Sequence, residues 1–455
     1  MAHSLALEDA WRRLAGLLRV SGAQSAGELT ARLGVSQATF SRLTSAHRDD
    51  LLVVGRARAT RYALRRTIAD VGPSIPVYEV DESGRSRKLL SLEAIAPNSF
   101  YVSALHDDAA SEFYTDLPYF LNDVRPSGFL GRLVSAQHPE LMLPTDVRVW
   151  SADQCLRYLT HFGSNLVGNL IVGEPAFQRY LESIQAPPSA ISKAERLRRY
   201  PELASEVLRA GLPGSSAGGE QPKFLASRLP GPTEVLVKFS PPRTDSTGRR
   251  WADLLVSEHV AHEVLRRHGQ AAASSELIEA NSRVFLEVQR FDRTAAGGRR
   301  GLMSLLSLDA QFVGLLSGWS EPATRLAKLG HLDESMVERI RWLECFGQLI
   351  ANSDMHPGNL SFLCRGTRVL AVAPAYDMLP MAYAPQQGHL SDRAFTPPVP
   401  QPSVASIWRQ ASAAAQDFWA QVAEHPLASR PFRKIATENH AIVSRSAALA
   451  QRLPS

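Results

Sequence analysis

The sequence predicts an α+β fold of two lobes, a strand-rich one followed by a helical one, behind a small N-terminal domain. Three observations carry that prediction. Strand-like runs fill the chain from Val77 to Arg293 and helical runs fill it from Ser304 onward, the segregated pattern of an α+β protein. Basic charge is concentrated in residues 1–70, which carry eleven arginines and no lysine against six acids, a net +5 equal to the excess of the whole chain. Such asymmetry points to a nucleic-acid-binding segment on a neutral body. Finally, the loop from Leu349 to Phe362 sets Asp354, His356 and Asn359 between apolar runs, with Pro357 and Gly358 forcing a turn.

Bulk composition sets the outer bounds. A chain of 455 residues, 44% apolar and 21% charged, supports two to four domains with real cores and excludes wholesale disorder. Cys155, Cys345 and Cys364 are odd in number and widely spaced, so neither a disulfide framework nor a Cys-based zinc site fits them. The chain opens with no charged-then-apolar signal pattern, and no apolar run approaches the roughly 18 residues of a membrane helix. The expectation is a cytoplasmic protein with no membrane partner.

From the start, Leu7, Trp11, Leu14 and Leu18 recur at helical spacing. Ser25-Ala26-Gly27-Glu28 is a capping-box pattern that opens a second helix ended by Gly34. Ser36 caps a third, from Gln37 to about Ala46, and two strands follow around Gly55-Arg56-Ala57-Arg58. This is the order of a winged helix-turn-helix. In it Gln37, Thr39, Ser41 and Arg42 face the major groove of double-stranded DNA, and Arg56, Arg58 and Arg61 meet phosphates or the minor groove. Five arginines and no acid between Leu51 and Arg66 support that footprint; a small domain that binds protein instead is the alternative.

Residues 71–76 read as a linker, and a strand-rich lobe is expected over 76–290. Phe113 to Leu133 holds the densest aromatic patch, read as core, and Gln185 to Pro201 reads as a polar connection. Ser215-Ser216-Ala217-Gly218-Gly219-Glu220-Gln221-Pro222-Lys223 is a loop of small residues running into an apolar strand. Its backbone amides could cradle phosphates, although taken alone it reads as a hairpin turn, and it is not a P-loop. Val235-Leu236-Val237-Lys238-Phe239 is a buried strand with one lysine, which needs a partner. The following helix, Ala252 to His268, offers Glu258 first and Glu263 second. Arg283 to Arg293 is a strand running into a basic turn where a hinge would lie.

A helical lobe is expected over 291–455, with the Asp354 loop at the end of a long apolar helix and Asp377 after the next apolar run. Asp354 and Asn359 stand five apart, as do the base and the metal-holding asparagine of a protein kinase, and Asp377 stands where the second metal ligand would follow. Phosphoryl transfer needs hard oxygen donors for Mg²⁺ and a carboxylate to orient the acceptor hydroxyl. The alternative is a polar turn capping a helix.

With these residues placed, the chain from 76 to 455 resembles the HipA family of bacterial serine/threonine kinases, the toxin halves of HipBA-type modules. Its likeness is to the YjjJ-type branch, which carries its own helix-turn-helix. The motifs are Asp116 to Leu121, Ser216 to Lys223, Val237-Lys238, Arg290 to Arg293, the Asp354-x-His356-x-x-Asn359 loop and Tyr376-Asp377. The resemblance implies a protein-kinase-like HipA fold with ATP and Mg²⁺ as cofactors. It makes Asp354 the catalytic base with His356 beside it, Asn359 and Asp377 the metal ligands, and Lys238 the phosphate grip. It makes the loop of Ser216, Ala217, Gly218, Gly219, Gln221 and Lys223 the cover over ATP. Gln289 and Phe291 would sit at the hinge, Gln289 where the family often has glutamate. Ser216 falls at the inhibitory autophosphorylation position, with Ser215 as the alternative. The implied partners are a protein substrate, in the family a component of the translation apparatus, and an antitoxin or a second copy. Two other functions fit the same residues: a DNA-binding regulator whose kinase-like body senses a nucleotide, and a Mg-dependent nuclease.

Overall fold

The structure is a computed structural model that describes residues 2–187, 189–210, 221–231, 233–390, 393–399 and 405–450. It begins with three helices, Ala2–Ser21, Ala26–Leu33 and Gln37–Ala46, and the antiparallel strands Leu51–Val54 and Arg61–Leu64. Ser25 caps the second helix in both directions. Its hydroxyl accepts the Glu28 N–H at 3.3 Å, and its own N–H donates to Glu28 Oε2 at 2.7 Å. Ser36 caps the third helix through the Thr39 N–H at 3.2 Å. The apolar faces of these helices, Leu14, Leu18, Leu29, Leu33, Phe40 and Leu43, close on Leu51 and Leu64 in one small core. The hairpin tip turns at Gly55 (φ +91°), where a Cβ would lie 2.6 Å from the Ala59 carbonyl oxygen, so only glycine fits.

This first unit is fastened to the next by side chains counted above as part of a basic footprint. Arg65 pairs with Glu93 at 2.5 Å and Arg66 with Asp153 at 2.6 Å, while Arg157 reaches back to Asp70 at 2.7 Å.

The single strand-rich lobe expected over 76–290 divides into two sheets. The first is five-stranded and antiparallel, in the order Glu112–Tyr114, Ser99–Ala104, Ser86–Ile95, Ser74–Val80, Leu170–Val172. Helices Gly128–Gln137, Ala152–Phe162 and Glu174–Gln185 accompany it. The second is four-stranded, in the order Ser275–Ala280, Arg283–Gln289, Thr233–Phe239, Lys223–Arg228. Alternating apolar residues mark strands in both sheets alike, and nothing in that alternation says which strands pair.

Between the sheets, a helix over residues 196–210 takes up the last part of the connection expected from Gln185 to Pro201. Pro201 sits inside it, and Tyr200 and Ala204 are buried against Phe224, Val235, Val237 and Phe285. Burial of that face outweighs the missing proline N–H. The opposite face of the sheet, with Val284, Leu286 and Val288, packs on helix Ser246–Arg267. Lys238 pairs in register with Leu286 and shares that face.

Beyond Asp292 the chain builds a three-stranded sheet, Gly301–Ser304, Ser361–Arg365 and Arg368–Val372. Helices Leu305–Phe312, Ser320–Lys328, Glu334–Leu349, Ala405–Glu424 and Arg430–Ala450 surround it. Phe346, Phe418, Trp419 and Phe432 are fully buried among these helices. The three cysteines are buried and free. Among the described residues no helix is long and apolar enough to cross a membrane.

Candidate active site

A cleft of about 800 Å³ lies between the four-stranded sheet and the helical part. Gln221, Lys223, Lys238, Glu258, Asp354, His356, Asn359 and Asp377 all line it. Ser215, Ser216, Ala217, Gly218 and Gly219 lie outside the described residues.

Lys238 is brought in by its strand and buried at 5% exposure. Its Nζ donates to Glu258 Oε1 and Oε2 at 2.7 and 2.8 Å. Glu263, the second choice, instead pairs with Arg266. Lys238 also ion-pairs with Asp377 across the cleft. Burial works against the lysine charge, but the carboxylates of Asp377 and Glu258 outweigh it and hold the Lys238 pKa above the ordinary lysine range. Burial pushes the Glu258 carboxyl up. At Asp377 burial pushes the same way, and Lys238 and then Lys223 overcome it, so that this carboxylate stays ionised. Behind the group lies His262, wholly buried, with a pKa pushed down to about 3 by burial and by the Lys238 charge. It adds no charge of its own.

Helix Glu334–Leu349 delivers the Asp354 loop, and the loop is held by its backbone. Asn352 Oδ1 accepts the Asp354 N–H at 3.1 Å, and its amide donates to the Asp377 carbonyl at 3.4 Å. The Asn359 amide nitrogen donates to the Asp354 carbonyl at 2.8 Å. That bond leaves the amide oxygen as the atom Asn359 can offer to a cation. The His356 carbonyl accepts the buried Trp319 indole N–H at 3.0 Å, and the His356 ring accepts the Gly358 N–H on Nδ1 at 3.1 Å. This assigns the ring proton to Nε2. Tyr376 ties the loop to the following strand, donating to the Gly358 carbonyl at 3.0 Å and sharing a hydrogen bond with Ser361 at 2.7 Å. With its backbone so fixed, the Asp354 side chain is exposed and has no hydrogen bond among the described residues. Asp377 takes φ 51°, a left-handed conformation that costs a non-glycine residue about 1 kcal/mol or more and often marks a functional position.

Two expected positions are not in the cleft. Gln289 and Phe291 do not line it. The Gln289 N–H donates to the Ser274 carbonyl at 2.8 Å, and the Phe291 ring packs 5.9 Å from that of Tyr376. The neighbouring Arg290, Asp292 and Arg293 lock the turn to residues 165–168 of the preceding unit, with Asp292 accepting from Arg290, Arg293 and the Gly168 N–H. The Gln221 amide is likewise committed, donating to the Phe239 carbonyl.

One wall of the cleft escaped the sequence reading. Asn122, Asp123, Arg125 and Ser127, then Arg148, Trp150 and Cys155, come from the unit of the five-stranded sheet. Asp123 anchors that wall, accepting from the Ser304 N–H at 2.6 Å and hydroxyl at 2.5 Å. Trp319 had no signal in the sequence either. Asn352 lay inside the conspicuous stretch, but its role depends on a neighbour 25 residues away.

The N-terminal candidates are surface residues. Gln37, Ser41 and Arg42 on the third helix and Arg56, Arg58 and Arg61 on the hairpin are exposed, while Thr39 is half-buried. The Thr39 hydroxyl is engaged with Ser36 at 3.0 Å.

Fold and cleft define a two-lobed protein built around a buried lysine–glutamate pair and an Asp-x-His-x-x-Asn loop. Residues 71–181 match the YjjJ-like toxin middle domain, and residues 215–445 match the HipA-like C-terminal domain. Toxin YjjJ of Escherichia coli K12 is 39% identical over 427 residues, 92% of this chain and 95% of its own. The chain belongs to the HipA family, in its YjjJ-like toxin branch. Among solved structures, HipA of Shewanella oneidensis MR-1, in complex with HipB and its operator DNA, shares the fold. It has 12% identity and a TM-score of 0.50, over 83% of this chain and 99% of that one.

Proposed function

We propose that this HipA-type toxin is an ATP- and Mg²⁺-dependent serine/threonine protein kinase that autophosphorylates and carries its own DNA-binding domain. The observation that carries the reading is the convergence of Lys238, Glu258, Asp377, Asn359 and Asp354 on one cleft, which is the part list of phosphoryl transfer. Lys238, held by Glu258, would offer its remaining donor to the α- and β-phosphates in place of Asp377 and so free the Asp377 carboxylate. Asp377 and the Asn359 amide oxygen are hard donors suited to Mg²⁺. An ion held there would supply charge neutralisation on a triphosphate. Asp354, exposed and unbonded, accepts the proton of the acceptor hydroxyl. The backbone bonds from Trp319, Asn352 and Tyr376 hold it in register without occupying its carboxylate. Such a reading places the protein in the cytoplasm with a protein substrate.

For residues 1–70 the proposed partner is double-stranded DNA. The support is a helix presenting Gln37, Ser41 and Arg42 beside a tight hairpin presenting Arg56, Arg58 and Arg61, all exposed. The HipA relative of known structure is itself bound with HipB and operator DNA; here an in-cis domain would take the DNA-binding part.

The test is incubation of wild type, Asp354→Ala and Ser216→Ala with labelled ATP and Mg²⁺, followed by mapping of the phosphate. Label that disappears with Asp354→Ala supports the kinase, and loss with Ser216→Ala assigns the loop serine. No label, with ATP bound and DNA recognised, favours the nucleotide-sensing regulator. DNA cleavage that needs Mg²⁺ and no ATP favours the nuclease.

A further inference from the structure

A second cavity, about 460 Å³ in volume, shares no residue with the catalytic cleft. It opens where two long helices begin, Ser246–Arg267 and Arg430–Ala450, and its lining includes Arg243, Arg249, Arg430 and Arg433. The charge of these arginines is poorly compensated. Arg243 is shared with Glu279. The Arg249 guanidinium donates to two main-chain carbonyls, those of Arg243 at 3.3 Å and Thr244 at 3.2 Å, and so meets no carboxylate there. The Arg430 and Arg433 side chains have no hydrogen bond or ion pair among the described residues. The lining holds one carboxylate against these four arginines, Asp253, whose oxygens accept the Ser429 N–H at 2.6 Å and the Ser429 hydroxyl at 2.7 Å and whose charge faces Arg250 and Arg243.

Cations crowded around one concavity repel each other unless an anion sits among them. Guanidinium groups match phosphate oxygens in geometry. We propose that this cavity binds a small molecule carrying two or more phosphate groups, at a site separate from the ATP cleft. A nucleic-acid backbone meets the same chemistry, but a duplex needs a ridge or an open face, and these arginines line a hollow.

The experiment is calorimetric titration of the full-length protein with inorganic pyrophosphate in Mg²⁺-free buffer, in parallel with a short DNA duplex. The Arg430→Gln/Arg433→Gln protein is compared with Arg365→Gln/Arg368→Gln, which removes the same charge from a surface outside the cavity. Folding of each is checked by its melting curve, and Arg249→Gln is a second cavity variant that leaves the start of the last helix untouched. The expected result is pyrophosphate binding to wild type and to the control, weakened about tenfold for each cavity arginine removed. Three results overturn the proposal: no pyrophosphate binding to wild type, equal binding by the cavity variants, or a loss in the cavity variants of duplex affinity alone. The last would make the arginines a nucleic-acid surface.

Discussion

Replacing Lys238 by methionine tests whether the centre of the cleft is a single electrostatic unit. Lys238 is 5% exposed and Glu258 1% exposed, and Lys238 joins Glu258 to Asp377 by direct hydrogen bonds. Methionine keeps most of the volume and removes the charge, leaving one carboxylate buried and another half-buried beside it. Breaking a buried pair from one side costs about 3–5 kcal/mol. For a unit of this size each kcal/mol moves the melting point by about 2–4 °C, so the transition should fall by roughly 6–20 °C. Tryptophan fluorescence reads it, because five of the seven tryptophans lie within residues 215–445. The loss should shrink on acidification. A carboxyl whose pKa is raised in the folded state keeps its contribution below its unfolded pKa and loses it as pH rises through the folded value. Without Lys238, Glu258 is such a group, so the variant should lie closer to wild type at pH 5 than at pH 8. Adding Glu258→Gln to Lys238→Met should restore part of the melting temperature. A single variant that melts within a degree or two of wild type at both pH values refutes the reasoning.

Four further expectations follow. Asp354→Ala removes an exposed side chain without hydrogen bonds, so stability should change by less than about 0.5 kcal/mol while labelled-phosphate transfer falls about 10²–10⁴-fold; a matching loss of stability would make Asp354 a structural residue. Trp319→Phe deletes the indole donor to the His356 carbonyl, costing about 1 kcal/mol and lowering turnover more than ATP affinity, as steady-state kinetics would read. Burial pushes the Asp253 carboxyl up to about 6 from 3.8, so stability should fall by about 3 kcal/mol as pH rises through that window. Asp253→Asn should flatten the melting-temperature profile there, and an unchanged profile counts against the assignment. In DNA titrations against salt, Arg56→Gln/Arg58→Gln should reduce the salt slope by about two, whereas Arg66→Gln should leave it unchanged; equal effects would sink the division of labour between these arginines.

That division shows where sequence was enough and where it was not. Motifs whose parts are close in the chain could be read directly, because spacing along one loop or one strand-helix step fixes geometry. Asp354 and Asn359 are five residues apart, and Glu258 sits twenty residues after Lys238 on the helix that packs against its strand. Parts assembled by distant packing could not. The cleft wall from Asn122 to Ser127 and at Trp150 carries ordinary core and loop residues, and only Asp123 reaching Ser304 across 181 residues turns it into a wall. Gln289 and Phe291 show a different limit. The family resemblance implies a hinge role for Gln289 and Phe291; neither lines the cleft, the Gln289 N–H donates to the Ser274 carbonyl and the Phe291 ring packs against Tyr376.

Arginine clustering misled in the same way. From Leu51 to Arg66 five arginines stand without an acid in sequence, yet their partners in space come from later in the chain. Arg65 meets Glu93 and Arg66 meets Asp153, so two of the five hold domains together, and Arg56, Arg58 and Arg61 stay exposed. The helix Ala152–Phe162 makes that attachment consequential. Asp153 and Arg157 grip the N-terminal unit, while Cys155 lines the cleft. The unit with the basic hairpin is therefore bolted to one wall of the cleft, and a displacement of the first must either break two ion pairs or move the second.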